Sequence, residues 1–301
     1  MSWNTQSLGH GDLELILLPQ IGGRLMDIIF RGESLLFQNP DLAGSIPDLE
    51  RLQELPSRAR HLPFPLWGGE KTWIAPDTCW PDGAPYPVLD SGEYSFRRLG
   101  EQNVEMSSQV CPISNLQITR TVELQLPDRW SIEHRVLNTS KEPRKVGLWS
   151  VMMTKRPAAY FFPAGNDQEP KTVFGEPGHA YTRSNGIGQI RCDAQREFKL
   201  GFHPASGVSA ARIAGEKQDV WILNHVDTLS HQHDYAHAQA LEFYNSGHYH
   251  YGELEWHSQA LLLQPEHSHQ FTLGYQVFAA MDDVSPAEMM ARVAARHEET
   301  Q

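Results

Sequence analysis

The chain has 301 residues, 40% hydrophobic and 10% aromatic, a composition typical of a globular protein with a sizeable core. Its 25 basic and 37 acidic side chains give a formal net charge of −12, which would repel a nucleic-acid backbone. No stretch reaches the ~18 apolar residues of a membrane span, and the N-terminus lacks a signal-peptide pattern. We therefore expect a cytoplasmic protein with neither a nucleic-acid nor a membrane partner, and its oligomeric state stays open.

Short alternating runs of apolar and polar residues, bounded by Gly, Pro, Asn and Asp, recur along the whole chain. In order they are LELILLP, RLMDIIF, SNLQITRTVELQL, WSIEHRVLN, KVGLWSVMM, DVWILNHV, ALEFYNS, YGELEWHS and HQFTLGYQVFAA. Such runs are typical of antiparallel strands and predict an all-β domain, a large sandwich or barrel, that occupies residues 1–301.

Few segments predict other structure. SPAEMMARVAARHEE has Ser285 as N-cap, Pro286 at the first helical position and Glu288 three residues after the cap, and it predicts a short C-terminal helix. IPDLERLQELPS is a second helix candidate that Pro56 would end. Residues 157–186 are rich in Pro, Gly and Asn and predict a long loop at a binding rim.

The three cysteines, Cys79, Cys111 and Cys192, lie far apart and lack C-x-x-C spacing. This pattern favours reduced, structural thiols over a zinc or redox site.

Residues 247–258, GHYHYGELEWHS, alternate in a way that places Tyr251, Glu253, Glu255 and His257 on one strand face. Carboxylates two residues apart on a strand lie about 7 Å apart. In a partly buried cleft they would perturb each other's pKa, which suits acid/base catalysis. The alternative is a solvated strand face on an acidic protein.

Tryptophans concentrate between residues 66 and 87, where Trp67, Trp73 and Trp80 are interleaved with Gly, Pro and charged residues such as Lys71. Sugar rings stack on aromatic planes while charged groups bind their hydroxyls. The segment is therefore a candidate sugar-binding region. The alternative is that its indoles fill the core at one end of the sandwich.

The 15 histidines raise metal binding as a separate possibility. His231/His233 and His248/His250 have the H-x-H spacing that places two imidazoles on one strand face. His248 and His250, followed by Glu253, loosely resemble a cupin metal motif with shorter spacing, so a metal-dependent sugar isomerase is one alternative. The preferred interpretation assigns no metal and no cofactor.

Three longer segments, residues 18–40, 116–150 and 251–278, together resemble the galactose mutarotase-like (aldose 1-epimerase) superfamily. The resemblance covers most of the chain and depends on the order of the motifs. It implies a large antiparallel β-sandwich of the supersandwich type, with a sugar site on a broad concave face. It also implies a small-molecule sugar or sugar acid as partner, and chemistry that needs no cofactor.

Epimerases of this superfamily use a glutamate base for the anomeric hydroxyl and a histidine acid for the ring oxygen. By position the resemblance implies Glu255 as the base, with Glu253 as its alternative. The family's histidine has no counterpart, because Trp149 stands near that place. The acid would then come from a histidine on or beyond DVWILNHV, and the candidates are His225, His233 and His237.

Substrate binding is predicted for a set of aromatic and basic residues: Arg24, Lys71, Trp73, Trp80, Trp149 and Tyr251. Among them, Arg24 and Lys71 favour an acidic or phosphorylated sugar. The function that competes with anomer interconversion is non-catalytic carbohydrate binding or sensing on the same fold.

Overall fold

A computed structural model describes residues 3–125, 127–165, 169–227, 229–280, 284–285 and 288–290. Its strands pair antiparallel into two sheets, which confirms the predicted all-β class. The strands in chain order are β1 (Gln6–His10), β2 (Leu13–Leu18), β3 (Arg24–Phe30), β4 (Glu33–Ser34), β5 (Glu70–Ala75), β6 (Ser95–Arg98), β7 (Asn103–Ser107), β8 (Leu116–Gln125), β9 (Arg129–Asn138), β10 (Arg144–Lys155), β11 (Ala158–Pro163), β12 (Lys171–Gly175), β13 (Tyr181–Ser184), β14 (Ile187–Cys192), β15 (Phe198–Phe202), β16 (Val208–Ile213), β17 (Val220–His225), β18 (Leu241–Asn245), β19 (Tyr251–His257), β20 (Leu261–Leu263) and β21 (Ser268–Ala279).

The first sheet has the order β1-β2-β3-β5-β10-β19-β18-β15-β12, with β4 paired to β3 and β20 paired to β10. The second sheet has the order β13-β14-β11-β16-β17-β21-β9-β8-β7-β6. Strands distant in the chain are neighbours in both sheets, and the centre of the first sheet joins β5, β10 and β19. That centre carries the segments in which we expected sugar-binding and catalytic residues.

The core lies between the sheets and is built by strand alternation. In β9, every second side chain from Trp130 onward is buried while the intervening ones are partly exposed. Trp130 stacks on Tyr275 of β21, with ring centroids 5.1 Å apart. Trp256 of β19 crosses from the first sheet, and its Nε1 donates to Ser209 Oγ at 2.9 Å. The sheets are therefore held by aromatic packing together with a few directed polar contacts.

A charged pair also crosses the core. Arg120 of β8 and Glu70 of β5 are fully buried, and the guanidinium donates to Glu70 Oε2. Ser150 Oγ donates to the other carboxylate oxygen at 2.9 Å. Burying two charges is favourable only when their other polar atoms find partners; here Arg120 Nη1 donates to the Gly23 and Glu70 carbonyls, while Arg120 Nε is left without a partner among the described residues. The pair therefore fixes β5 and β8 relative to each other across the core.

Two sequence expectations outside the strands were wrong. Residues 157–186 contain β11, β12 and β13 instead of one long loop, because their Pro and Gly residues lie between short extended runs. IPDLERLQELPS forms only a 3₁₀ turn at Leu52–Glu54. Other short helical elements are α1 (Pro87–Asp90) and 3₁₀ turns at Asp77–Cys79, Pro81–Gly83 and Gln232–Asp234.

Most of the predicted C-terminal helix lies outside the described residues. Residues 288–290 are helical, and the backbone N–H of Glu288 donates to Ser285 Oγ at 3.2 Å, as expected for an N-cap. All three cysteines are free; Cys111 and Cys192 are buried, and Cys79 is exposed. Among the described residues, no helix combines the length and the apolar character needed to cross a membrane.

The core ion pair gives a stability prediction. Arg120→Met leaves the Glu70 carboxylate buried without its charge partner, so the free energy of unfolding should fall by about 3–5 kcal/mol. Adding Glu70→Leu should recover much of that loss, because it removes the orphaned charge. Urea denaturation followed by tryptophan fluorescence measures both.

The matched control is Asp12→Ala, which breaks the exposed Arg31–Asp12 pair (3.1 Å). It should cost less than about 1 kcal/mol. Equal losses for Arg120→Met and Asp12→Ala would show that the core pair does not hold the sheets.

Candidate functional site

Five neighbouring strands of the first sheet, β5, β10, β19, β18 and β15, turn alternate side chains away from the second sheet. Cross-strand register brings these side chains together: Val151 pairs with both Lys71 and Glu255, and Trp149 pairs with both Trp73 and His257. We call this face the candidate site. Its members are all buried: Lys71, Trp73, Trp149, Lys199, Glu242, Tyr244, Tyr251, Glu253, Glu255 and His257.

The face is buried because residues 57–66, the covering segment, pack over it. Ala59 and Leu66 join an apolar cluster with Trp73, and Phe64 meets the Trp73 ring edge-on at 5.6 Å. The backbone N–H of Arg58 donates to Tyr249 Oη at 2.8 Å. The glutamate face of β19 is therefore enclosed, which excludes the solvated strand face that the sequence left as an alternative.

Glu255 is fully buried, and its two carboxylate oxygens are in different surroundings. Oε2 accepts from Trp149 Nε1 at 2.7 Å and from Lys199 Nζ at 2.8 Å. Oε1 is buried without a hydrogen-bond partner among the described residues. A buried carboxylate oxygen without a donor is costly, so Oε1 is a ready acceptor for a group that enters the site.

Lys199 lies between two carboxylates, 2.8 Å from Glu255 Oε2 and 2.9 Å from Glu242 Oε2. Burial alone would lower the pKa of its ammonium, but the two carboxylates outweigh burial and raise it. Burial pushes the pKa of Glu242 up, yet Lys199, His257 and His237 together hold it well below its ordinary value. The site thus contains a permanently charged ammonium and an ionised carboxylate.

Two histidines contact Glu242 and have opposite protonation preferences. Burial opposes a charge on His237, but the nearby carboxylates of Asp77 (3.5 Å from Nε2) and Glu242 (3.3 Å from Nδ1) raise its pKa to about 9. Burial lowers the pKa of His257, so this ring is neutral at pH 7. His257 Nε2 lies 3.1 Å from Glu242 Oε2, and its single proton is placed to be donated there. His237 is therefore the imidazolium of the site, 4.9 Å from the Trp149 ring between centroids.

Glu253 and Lys71 form a second buried pair, with 3.4 Å between Lys71 Nζ and Glu253 Oε1. Burial raises the pKa of Glu253 to about 7 although Lys71 opposes the shift. Burial likewise lowers the pKa of Lys71. The Lys71 ammonium also lies 4.1 Å from the centroid of the Trp73 ring. Glu253 can therefore gain or lose a proton near neutral pH.

The predicted substrate-binding residues are only partly available to a ligand. Arg24 is buried and donates to the carboxylate and backbone carbonyl of Asp90 and to the Gly68 carbonyl. Trp73 also donates to Asp90, at 2.7 Å. Trp80 is only half-buried and stacks on Trp149 with centroids 5.7 Å apart. Arg24 thus supports Trp73 through Asp90, and Trp80 is the tryptophan best placed to meet a ligand.

Two predicted histidines lie elsewhere. His225 is in β17 of the second sheet, where its ring lies against Gly274 of β21. His233 lies in a 3₁₀ turn with its side chain 81% exposed, 3.4 Å from Asp234. The structure therefore does not bring either histidine to the glutamates. It brings His237, the third sequence candidate, together with His257.

Three members of the site were not singled out from the sequence: Lys199, Glu242 and Tyr244. Lys199 interrupts the apolar run FKLGF, and Glu242 interrupts ALEFY. A lone ionisable residue at an alternating position of an otherwise apolar strand is a usable signal, because burial there requires a partner.

Several solved structures have a similar fold. Slr1438 of Synechocystis sp. PCC 6803 is similar with a TM-score of 0.60 and 14% identity, over 92% of this chain and 96% of that one. A galactose mutarotase-like protein from Lactobacillus casei ATCC 334 has a TM-score of 0.59 and 9% identity, covering 91% and 100%. A galactose mutarotase related enzyme from Lactobacillus acidophilus has a TM-score of 0.56 and 8% identity, covering 93% and 99%.

No family model and no curated protein sequence matches the chain. The fold is that of the galactose mutarotase-like proteins, the large antiparallel sandwich that the sequence resemblance implied.

The raised pKa of His237 gives a prediction about pH. The folded state holds this proton more tightly than the unfolded chain, whose histidine has a pKa near 6.5. The stabilisation is fully present below about pH 6.5 and is lost as pH rises through about 9. The stability advantage of the wild type over His237→Gln should therefore shrink across that window, by at most about 3 kcal/mol.

Urea denaturation at about pH 6 and about pH 9.5 measures this difference. The variant His10→Gln, at an exposed position of β1, should track the wild type at both pH values. A difference between His237→Gln and wild type that does not change with pH would mean that Asp77 and Glu242 do not hold the proton.

Proposed function

We propose that the protein binds a monosaccharide in the candidate site and interconverts its anomers, with Glu255 as general base and His237 as general acid. The observation that carries the proposal concerns two groups beside the same indole, Trp149: a buried carboxylate oxygen of Glu255 that has no hydrogen-bond partner among the described residues, and the protonated imidazole of His237. Anomer interconversion requires two groups in opposite protonation states on one sugar.

The proposed reaction consists of ring opening by two proton transfers, rotation about one bond, and ring closure by the reverse transfers. Glu255 Oε1 accepts the proton of the anomeric hydroxyl while the bond from C1 to the ring oxygen breaks and the C1 carbonyl forms. The ring oxygen takes the proton of His237. Rotation about C1–C2 presents the other carbonyl face, and the reverse transfers close the ring and restore both residues.

The surroundings of Glu255 support this role. Lys199 and Trp149 hold Oε2, so the carboxylate is oriented before a ligand arrives. Asp77 and Glu242 keep His237 protonated through neutral pH. The site side chains beneath the covering segment are buried, and burial strengthens each electrostatic interaction between them.

The balance of charges in the site favours a neutral aldose. Lys71 faces Glu253, Lys199 faces two carboxylates, and Arg24 is bound to Asp90. No basic side chain among these three is left for a substrate carboxylate or phosphate, although the sequence favoured an acidic sugar. The likeness in fold to a galactose mutarotase related enzyme is in keeping with a sugar substrate.

Glu253 is the alternative base, because its pKa near 7 suits proton transfer at neutral pH. Its oxygen is already occupied by Lys71. We therefore assign Glu253 to the ion pair with Lys71 and not to proton transfer.

One observation favours a second function, non-catalytic sugar binding. Lys199 Nζ and Trp149 Nε1 already donate to Glu255 Oε2, at 2.8 Å and 2.7 Å, so half of this carboxylate is engaged before any ligand arrives. A protein that recognises a sugar without opening its ring would tolerate such contacts.

The decisive variant is Glu255→Gln. Its amide keeps the shape and a hydrogen-bonding edge but cannot accept the proton, so anomer exchange should fall by at least about 100-fold with sugar affinity little changed. Saturation-transfer NMR across a panel of neutral aldoses and uronic acids measures exchange, and calorimetry measures binding. His237→Gln should likewise lose anomer exchange while it keeps its sugar affinity, and His10→Gln should behave as wild type in both measurements.

Three results would contradict these assignments. Binding without accelerated exchange in the wild type would establish the sensing function instead. Full activity in Glu255→Gln together with loss in Glu253→Gln would move the base to Glu253. Loss of exchange in His233→Gln but not in His237→Gln would overturn the assignment of the acid.

A further inference from the structure

Three potential metal ligands meet at the edge of the candidate site. His61 belongs to the covering segment, Glu197 precedes β15, and His248 lies in the connection between β18 and β19. One ligand atom from each lies within 4.8 Å of the other two. His61 Nε2 is 3.1 Å from Glu197 Oε1, and the two imidazole rings have centroids 5.1 Å apart.

The ligand set has the chemistry of a zinc site. Two imidazoles and one carboxylate bind Zn²⁺ through bonds of about 2.0–2.2 Å, which places tetrahedral ligand atoms about 3.3 Å apart. The observed atoms need to close by at most about 1.5 Å to reach that geometry. The side chains of His61 and Glu197 are 47% and 28% exposed, so they can make this adjustment and leave room for water as a fourth ligand.

A second contact orients the carboxylate. Tyr244 Oη donates to Glu197 Oε1 at 2.8 Å. Hydrogen bonds of this kind fix ligating carboxylates in metal sites. Tyr244 is itself a member of the candidate site and pairs with Glu253 and Lys199 across the strands. The cluster is therefore connected to the sugar face through one side chain.

The other cluster of similar composition, His237, Glu242 and His257, is less suited to a metal. Lys199 Nζ lies 2.9 Å from Glu242 and already supplies the cation there. His237 also keeps its proton through neutral pH, and a protonated imidazole cannot ligate. No such ammonium contact is recorded for His61, Glu197 or His248 within the described part of the chain.

We propose that His61, Glu197 and His248 form a divalent transition-metal site that ties the covering segment down over the candidate site. Bound Zn²⁺ would connect the segment to both β15 and the β18–β19 connection, in place of a single His–Glu contact. Arg58 already anchors the start of the segment to Asp41 at 2.8 Å and to Tyr249. The metal would fix its middle, so that opening the site requires release of a ligand.

The test uses untagged protein stripped with a chelator, with no sugar present. Calorimetric titration should show one equivalent of Zn²⁺ bound, and Co²⁺ should give the visible absorption bands of a tetrahedral site. His61→Ala, His248→Ala and Glu197→Gln should each weaken Zn²⁺ binding by at least about tenfold. His10→Ala, remote and exposed, should bind as wild type.

A second measurement checks what the metal does to the segment. Amide hydrogen exchange in residues 57–66 should slow at least about tenfold when Zn²⁺ is added to wild type, but not when it is added to His61→Ala. This measurement does not depend on epimerase activity, so a failure of the metal proposal can be distinguished from a failure of the proposed function.

Three results would overturn the proposal. One is no saturable Zn²⁺ binding by the wild type. Another is binding that survives in His61→Ala and His248→Ala but disappears in Glu242→Gln or His231→Ala, which would place the ion in another cluster. The third is tight binding that leaves exchange in residues 57–66 unchanged.

Discussion

The buried ion pair between Arg120 and Glu70 selects the register on which the candidate site depends. Glu70 points into the core from β5, so strand geometry turns its neighbour Lys71 to the opposite face. A slip of one residue would exchange those faces and bring Lys71 towards Arg120 inside the core. Two buried cations without a carboxylate between them are far more costly than the observed pair. The ion pair that joins the two sheets therefore also determines which side chains of β5 face the candidate site.

On the face of β5, β10, β19, β18 and β15 that points away from the second sheet, ion pairs are combined with apolar packing. Lys199 lies between Glu242 and Glu255, and Lys71 faces Glu253. Each ammonium offsets part of the cost of burying these carboxyl groups away from water. Among the described residues, Glu255 Oε1, His237 Nε2 and His257 Nδ1 are left at this surface without a hydrogen-bond partner. Preorganisation of this kind suits both proton transfer and selective binding of a polar ring.

The covering segment connects this surface to the rest of the molecule. Phe64 packs on Trp73, and His61 meets Glu197, so one stretch of irregular chain contributes both to the enclosure and to its rim. Segments with few backbone hydrogen bonds open first in folded proteins. In the proposed function, the covering segment would therefore be the part of the enclosure that opens for a ligand.

Sequence reasoning worked where the signal was local. Period-two alternation located β19 and placed Glu253, Glu255 and His257 on one face, because side chains of a strand alternate whatever its partners are. It failed between residues 157 and 186, where the strands are short and Pro and Gly masked their periodicity. Lys199 and Glu242 gave only a faint signal, since one charge in an apolar run does not reveal its partner.

The amino-acid sequence by itself determined which side chains share a face of each strand, and through the order of its motifs it indicated the class of fold. Tertiary structure alone decided which strands are neighbours. β5, β10, β19, β18 and β15 come from distant parts of the chain, and their order follows from pairings that no local pattern encodes. For that reason the sequence left three histidines, His225, His233 and His237, as candidates for the proposed acid. His237 lies in irregular chain without periodicity, and only the folded protein brings it to Trp149 and Glu242.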